Sequence, residues 1–548
     1  MSEIAIVFAL MAAVAALATI ANRIGIPYPI LLVLGGLGLA FIPGLPRVAL
    51  DPDIIFLLFL PPLLFGAAYA ASWRDFRANA RTIGLLAVGL VLITTVAVAV
   101  VAHMVAGLSW AAAFVLGAVV SPTDAISATT IAQRLGVPRR IVTVLEGESL
   151  VNDATGIVAY RIAAAVAAGT VVFSPLDASV QLVLGAVGGT LVGVGVGWLT
   201  IQAFRALGDV QVQVVASLLV PFLAYILAEK GPHILWHDLF GFPGEPFFSG
   251  VLAAVAAGFY VGRNSHLVVS GSTRIVGSAV WDVLIFLLNG LAFILIGLQL
   301  PEIAAGLANY TLTELALSAA LVSFAVVLVR VLWVFPAIYL PRFLSCRLCE
   351  RDPSPSWRNV VVIAWAGMRG VISLAAALAL PLTASDGGPF PGRDLILFLT
   401  FSVILITLVI QGLSLPPIIR MLGLEDDGLV DREEVRARIE AAEAALTRLG
   451  ELEPEVWVRG DTAERVRGLY SYRRSRFLAR TWGPDGTGED EVGRAIEARS
   501  RDYQRLVREL VQAQRVALIR LRNDNHISDA ALRSVERDLD LKEAQLER

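Results

Sequence analysis

Residues 110–168 combine two properties that rarely coexist. They read as two strongly apolar helices, yet they carry Ser121-Pro122-Thr123-Asp124 and Glu146-Gly147-Glu148-Ser149-Leu150-Val151-Asn152-Asp153. A carboxylate near the middle of a membrane span costs roughly 2.5–3.5 kcal/mol on insertion scales. It is tolerated where it faces other protein or water and has a task there. Two polar clusters on neighbouring spans therefore point to an ion or proton site near the bilayer midplane.

The rest of the chain supports the membrane setting. Of 548 residues, 56% are hydrophobic and 17% charged, with a mean hydropathy of +0.71. Soluble domains carry about 25% charged residues. The charge is also unevenly placed: residues 421–548 hold 23 of the 44 Lys+Arg and 27 of the 47 Asp+Glu. This predicts an all-α polytopic membrane domain over 1–420 and a water-exposed helical domain over 421–548. A net charge of −3 gives no case for a nucleic-acid partner. The start, Met1-Ser2-Glu3-Ile4, lacks the basic region and small-residue cleavage pattern of a signal peptide, so the first apolar run is expected to be a retained span.

A span needs about 20 apolar residues. About thirteen are expected, near 2–21, 27–45, 52–71, 82–106, 109–133, 141–169, 179–204, 210–229, 246–262, 274–300, 312–341, 358–383 and 393–417. With the N-terminus outside, the inside loops carry 14 basic residues, among them Arg74, Arg77, Arg81, Arg139 and Arg140, and the outside loops carry 3. This follows the positive-inside rule and places the charged tail in the cytoplasm of a multi-pass cell-membrane protein.

Transporters often consist of two inverted halves, each with a span broken by Gly or Pro near mid-membrane. Span 5 is broken at Ser121-Pro122-Thr123-Asp124, and span 12 at Ala366-Gly367-Met368-Arg369-Gly370. With span 7 as a linker, both broken spans are fifth in a six-helix repeat. Proline removes a backbone donor and frees carbonyls that can act as ligands.

In span 6, Ser149 and Asp153 are four residues apart and share a helix face, as do Glu148 and Asn152 on an adjoining strip. With Thr123 and Asp124 they offer carboxylate, hydroxyl and carbonyl oxygens. Such hard ligands suit Na⁺, Li⁺ or K⁺; a transition metal would favour His or Cys, and none of the 5 His lies in these motifs. A buried carboxylate can hold a proton or a cation, and competition for it is enough to couple two fluxes by alternating access. With Asn152 beside Asp153, one free carboxylate predicts electroneutral one-for-one exchange. Arg369, a cation inside span 12, needs a counter-charge. Glu148 is the first choice, which leaves Asp153 to titrate, and Asp124 and Asp282 are the alternatives. Arg161, eight residues after Asp153, either pairs with an acid or reaches the surface. Asp282 and Arg330 are read as structural residues near span ends.

Ser121-Pro122-Thr123-Asp124, Glu148-Ser149-Leu150-Val151-Asn152-Asp153 and Gly367-Met368-Arg369-Gly370 together resemble the monovalent cation:proton antiporter-1 family of sodium/proton exchangers, bacterial branch. Phe59-Leu60-Pro61-Pro62-Leu63-Leu64-Phe65, Leu287-Leu288-Asn289-Gly290-Leu291 and Ile410-Gln411-Gly412-Leu413 fit the same branch, and the resemblance runs over about residues 1–424. It implies a homodimer with a separate dimerisation domain, a six-helix core moving as an elevator, and crossed, unwound spans 5 and 12. It implies that Asp153 is the shared proton/cation carboxylate. Asn152, Ser149, Thr123 and Asp124 would shape the site, with Na⁺ on Asp153, Ser149 and Thr123, and Glu148 would pair with Arg369. Transported Na⁺ (or Li⁺ or K⁺) and H⁺ would be the only small partners, with no cofactor. One departure stands out: where several members of the family have an acid after the Pro-Pro stretch, this chain reads Gly66-Ala67-Ala68.

Other features read more plainly. Cys346 and Cys349 cannot complete a zinc site alone and are expected to be reduced thiols. The glycines from Gly185 to Gly197 suit close helix packing. The loop from Gly231 to Pro246, with His233, Trp236 and His237, is expected at the outer interface. The tail is expected to form two helical parts split at Gly483–Gly488, with an apolar stripe including Leu506, Leu510, Val516 and Ile519, and a basic patch at Arg473, Arg474 and Arg476 that could touch anionic lipid. An intramembrane enzyme would need a catalytic pair that is not seen. A channel would need polar residues on more spans than 5, 6 and 12, and a receptor would need a recognisable binding fold in the tail.

Overall fold

The computed structural model describes residues 3–42, 55–233, 248–307, 310–344, 354–385, 387–424, 428–481, 490–524, 526 and 528–546. Cys346, Cys349, Trp236, His237, the side chain of His233 and the Gly483–Gly488 break lie outside the described residues, as do Arg47, Arg347 and Arg351. The chain divides into two compact units, Met1–Asp426 and Asp427–Arg548. Apart from an isolated bridge between Thr383 and Pro389, regular structure among the described residues is helical.

The first unit opens with α1 (Glu3–Ile24), α2 (Tyr28–Ala40) and α3 (Leu60–Ala70), the last entered through a π-helical turn over Ile55–Phe59. Helix α4 (Trp73–Gly84) continues through a π-helical stretch, Leu85–Leu90, into α5 (Val91–Ala106). A broken pair follows, α6 (Trp110–Val120) and α7 (Ala125–Arg134), and then the unbroken α8 (Arg139–Ala167). Next come α9 (Pro175–Ala206), α10 (Val210–His233), α11 (Gly250–Asn264), α12 (Gly271–Leu298), the short α13 (Leu300–Ala305) and α14 (Leu312–Leu344). A second broken pair, α15 (Trp357–Trp365) and α16 (Val371–Leu378), precedes α17 (Arg393–Ile406) and α18 (Gly412–Met421), which are joined by a π-helical turn over Thr407–Gln411.

By length and composition, nine helices among the described residues can cross a membrane. The chain is a multi-pass, all-α membrane protein. The remaining expected spans fall on shorter elements: Tyr28–Ala40, Ile55–Ala70, the 15-residue α11 and the interrupted α15–α16. Helix α4 starts nine residues before the span expected at 82. Its first turns, with Arg74 and Arg77 exposed, are amphipathic rather than apolar, and the Ser72 hydroxyl caps them by accepting from Asp75 N.

Side-chain oxygens begin many of the helices. Ser109, Ser174, Ser249 and Ser356 cap α6, α9, α11 and α15, each accepting a backbone N–H. Gly107 closes α5 at φ 66°, a left-handed conformation that favours glycine. The glycine run acts as a packing surface. A Cβ on Gly189 or Gly193 of α9 would run into the backbone oxygens of Ser249 and Ala253, at the start of α11. Helices α2 and α12 approach the same way, through Gly36 and Gly297. At the Gly66 departure a Cβ would lie 2.5 Å from Ile285 Cδ1 of α12, so a larger residue there requires the end of that side chain to shift.

The second unit contains α19 (Leu429–Leu452), α20 (Gly460–Thr481), α21 (Asp490–Asn523) and α22 (Asp529–Leu546). Each of the two expected helical parts is thus itself a pair. Helices α21 and α22 close around Val507, Val511 and Leu539 and are tied by Arg515 to Asp540 and Glu543 at 2.6 Å. The expected stripe does not form this core: Leu506, Leu510, Val516 and Ile519 are exposed. The basic patch is partly used internally, with Arg474 3.8 Å from Glu443 and Arg473 over the Tyr470 ring.

Candidate functional site

Both helix breaks occur where the sequence withdraws backbone donors or side chains. Helix α6 ends at Val120, Pro122 contributes no N–H, and the Asp124 carboxylate restarts the helix by accepting from Ile126 N at 2.9 Å as the cap of α7. Gly156 of α8 leaves room for Pro122, since a Cβ there would run into the Pro122 ring. The second break, Ala366–Gly370, lies against the first. Asp124 N donates to Met368 O at 2.8 Å, and a Cβ on Gly370 would lie 2.7 Å from Asp124 Oδ2.

Charges match the helix ends exposed at the breaks. Arg369, fully buried, donates from Nε to Val120 O at the C-terminal end of α6 and from Nη1 to Gly367 O, both at 2.7 Å. Its backbone N–H donates to the Thr407 hydroxyl at 3.2 Å. Arg330 donates from Nη2 at 3.0 Å to Ile363 O, in the last turn of α15. Both guanidinium groups thus lie at helix C-termini, where the macrodipole is negative, and Asp124 lies at the N-terminus of α7, where it is positive.

The ion pair differs from the expected one. Glu148 pairs with Arg330 and not with Arg369. Arg330 Nη2 donates to Glu148 Oε2 at 2.9 Å and Nη1 to Oε1, and both side chains are 1% exposed. Arg330 is not near a span end: it lies well inside the 33-residue α14, whose packing on α15 and α5 carries it into the centre. Gly367 makes space for it, because a Cβ there would collide with Arg330 Cδ. Arg369 takes backbone carbonyls instead. Its Nη2 is buried without a protein acceptor among the described residues. Asp282, the other alternative partner, is exposed on α12.

The remaining site residues converge. Thr123 Oγ1 donates to Glu148 Oε1 at 2.9 Å and accepts from Asn152 Nδ2 at 2.7 Å. The Ser149 hydroxyl, half-buried, accepts from Ala125 N at 3.4 Å. Asn152 Oδ1 and Asp124 Oδ2 are buried without a hydrogen-bond partner among the described residues. Asp153 is 3% exposed; among the described residues no side chain or backbone group hydrogen-bonds its carboxylate, and it interacts electrostatically with Asp124. Buried polar atoms in folded proteins are nearly always paired, which sets these oxygens apart from the braced Thr123 and Glu148 beside them. The Thr123 hydroxyl, expected to contact Na⁺, donates to Glu148 and accepts from Asn152, which leaves it one open lone pair. Arg161, farther along α8, pairs with Glu229 of α10.

Buried carboxylates at paired helix breaks in a polytopic helical protein define the class of secondary ion transporters. The family profile "Sodium/hydrogen exchanger, transmembrane" matches residues 9–421, and the chain belongs to that family. The family is one of transporters, not enzymes. An uncharacterised Na(+)/H(+) exchanger of Mycobacterium tuberculosis strain H37Rv, Rv2287, is 34% identical over 548 residues, covering 99% of this chain and 96% of its own. The sodium, potassium, lithium and rubidium/H(+) antiporter of Bacillus subtilis strain 168 is 34% identical over 428 residues, covering 76% of this chain and 61% of its own. The solved structure of the sodium proton antiporter MjNhaP1 from Methanocaldococcus jannaschii matches with a TM-score of 0.57 at 21% identity, covering 76% of this chain and 98% of that one.

Proposed function

We propose that this protein exchanges one monovalent cation, Na⁺ first among them, for one proton, with Asp153 holding either ion in turn. The observation that carries the reading is the charge balance of the buried cluster. Glu148, Asp124 and Asp153 are three acids, Arg330 and Arg369 two bases, and the protein itself spends Glu148 on Arg330. One negative charge is left over, which a single cation or a single proton cancels. Because Asn152 is neutral, the two loaded forms have equal charge and exchange is electroneutral. A dependence of steady-state transport on membrane potential would count against this.

Asp153, Asp124 and Ser149 supply the ligand oxygens, Asn152 adds Oδ1, and Thr123 braces Asn152 against Glu148. Site-bearing α6, α7, α8, α15 and α16, with α5, α14 and α17, form the moving body of an elevator. Helices α1–α3 and α9–α12, knitted by the glycine contacts, form the stationary part of a homodimer. The full set of thirteen spans in two inverted repeats, an outside N-terminus and a cytoplasmic tail complete this reading, and the Arg distribution of the sequence supports it. K⁺ or Li⁺ in place of Na⁺ is the second reading, favoured by the range of ions in the name of the Bacillus subtilis relative.

The test is proton flux in proteoliposomes carrying a pH gradient and a pH dye. Na⁺, Li⁺ or K⁺ is added to wild type and to Asp153→Asn. Cation-dependent dissipation in wild type that the variant lacks is expected, and it names the ion. Equal dissipation in the variant removes Asp153 from the site.

A further inference from the structure

Helix α8 carries Glu148, Ser149, Asn152 and Asp153, and its far end makes a charged contact that the exchange chemistry does not use. Arg161, two turns beyond Asp153, forms an ion pair with Glu229 near the end of α10. The two helices belong to different neighbourhoods. The end of α8 is tied to the loop after α16, where Ser385 N donates to Ala168 O at 2.9 Å. Helix α10 packs chiefly on α9, α11 and α12 and meets α8 through Tyr225, which clusters with Ala154 and Ile157. Below the pair, α8 meets this group through apolar side chains, Leu150, Ala154 and Ile157 clustering with Tyr225, Val251 and Phe259, so Arg161–Glu229 is a charged contact at the end of an apolar seam.

The contrast with the rest of the boundary gives the pair its meaning. Where α16 meets α12 and the turn before α3, Ile55, Phe59, Leu295 and Ile296 face Val371 and Leu374 across an apolar cavity. Apolar burial is non-directional, so such a surface does not single out one register by charge. An ion pair is directional: it favours one register and is lost in another. Its side chains are 46% and 24% exposed, so water reaches it and it can open without leaving a buried charge behind. At the opposite end of the site helices the tie is of another kind, Arg134 of α7 donating to the amide oxygen of Asn22 on α1.

We propose that Arg161 and Glu229 are a latch between the site-bearing helices and the α9–α12 group, closed in this state and parted whenever Asp153 changes the side it faces. The inference rests on the exchange reading above. It adds a register-determining pair outside the ion site.

The experiment uses full-length protein in proteoliposomes, with Cys346→Ser and Cys349→Ser as background. Arg161→Cys and Glu229→Cys are combined and treated with a short bifunctional thiol reagent, and the linked peptides are quantified by mass spectrometry. Cross-linking is expected to lower cation-dependent proton flux at least tenfold, with recovery on reduction. Flux that continues unchanged in quantitatively cross-linked protein overturns the latch. So does a pair that cannot be cross-linked under any cation or pH condition. Without cross-linker, Glu229→Gln is expected to shift the apparent cation affinity by roughly two- to fivefold, the size of a partly exposed ion pair. The charge swap Arg161→Glu/Glu229→Arg is expected to return it toward wild type. If the untreated double-Cys protein and wild type both lack flux that Asp153→Asn abolishes, it is the exchange reading that has failed.

Discussion

Arg330 and Glu148 face each other through a two-pronged contact, Nη2 to Oε2 at 2.9 Å and Nη1 to Oε1, with both side chains 1% exposed. Removing one partner of such a pair leaves an uncompensated buried charge and costs about 3–5 kcal/mol. Glu148→Gln and Arg330→Gln are each expected to lower the thermal unfolding temperature of the purified protein markedly. The double variant should lose less than the sum of the two, by at least about 1 kcal/mol of coupling. Glu148→Gln combined with Arg369→Gln should show the smaller coupling, because Arg369 rests on the carbonyls of Val120 and Gly367. The reverse order would restore Arg369 as the partner of Glu148.

Competition at Asp153 fixes the sign of the pH dependence. A protonated carboxylate offers no charge to a cation, so acid must weaken cation binding. In the range where the free site is protonated, apparent KM for the cation should fall about tenfold per pH unit as pH rises. It should then level off once the site is ionised. Initial rates of cation-driven proton flux at several fixed pH values measure this. An apparent KM that stays flat across the acidic range would mean that proton and cation do not share the carboxylate.

The two helix breaks were legible because proline and glycine act locally: Pro122 cannot donate, and Gly367 and Gly370 sit where a Cβ would strike Arg330 or Asp124. That Glu148 and Asn152 share a face was legible from helical spacing, while the place of Thr123 beside them came from the family resemblance. The partner of Glu148 was not. Arg330 is 182 residues away, and two arginines in apolar surroundings look alike until packing decides which one reaches. What separates them is a backbone event: the C-terminal carbonyls of α6 are free to satisfy Arg369, and those of α15 together with Glu148 satisfy Arg330. The stripe of Leu506, Leu510, Val516 and Ile519 was legible, but not that α22 covers Val507 and Val511 instead, since α21 carries apolar residues on more than one side and periodicity alone does not say which side α22 takes. Latch residue Glu229 was missed because no motif surrounds it.

Asp124 has two roles that substitutions can separate. One carboxylate oxygen caps α7 through Ile126 N, and the other points, unpartnered, toward the site. Asparagine keeps a capping oxygen and loses the charge, whereas alanine loses both. Asp124→Asn should therefore unfold within about 1 kcal/mol of wild type, while Asp124→Ala loses roughly 1 kcal/mol more. Both should weaken apparent cation affinity at least tenfold. Were Asp124→Asn to keep wild-type affinity, the open oxygen would not be a ligand and the cap would be its whole function.

Gly370 tests whether contact between the two breaks matters for transport as well as for folding. Its φ of −126° is open to any residue, so backbone strain is not at issue. What an added methyl group would meet is Asp124, whose Cβ, Cγ and Oδ2 all lie 2.6–2.8 Å from where it would sit. Relief requires either moving the carboxylate, which disturbs the cap of α7, or pushing the second break away from Asp124, which strains the 2.8 Å bond from Asp124 N to Met368 O. Overpacking of this kind typically costs about 1–3 kcal/mol. Gly370→Ala is expected to insert and fold with a lowered melting temperature, and to lose most cation-dependent proton flux because the Asp124 oxygen is displaced. Gly195→Ala, on α9 with open space around its Cα, is the matched control and should leave both readouts unchanged. Full flux in Gly370→Ala would show that the site tolerates a shift of Asp124, and would move the weight of ion binding onto Asp153 and Asn152 of α8.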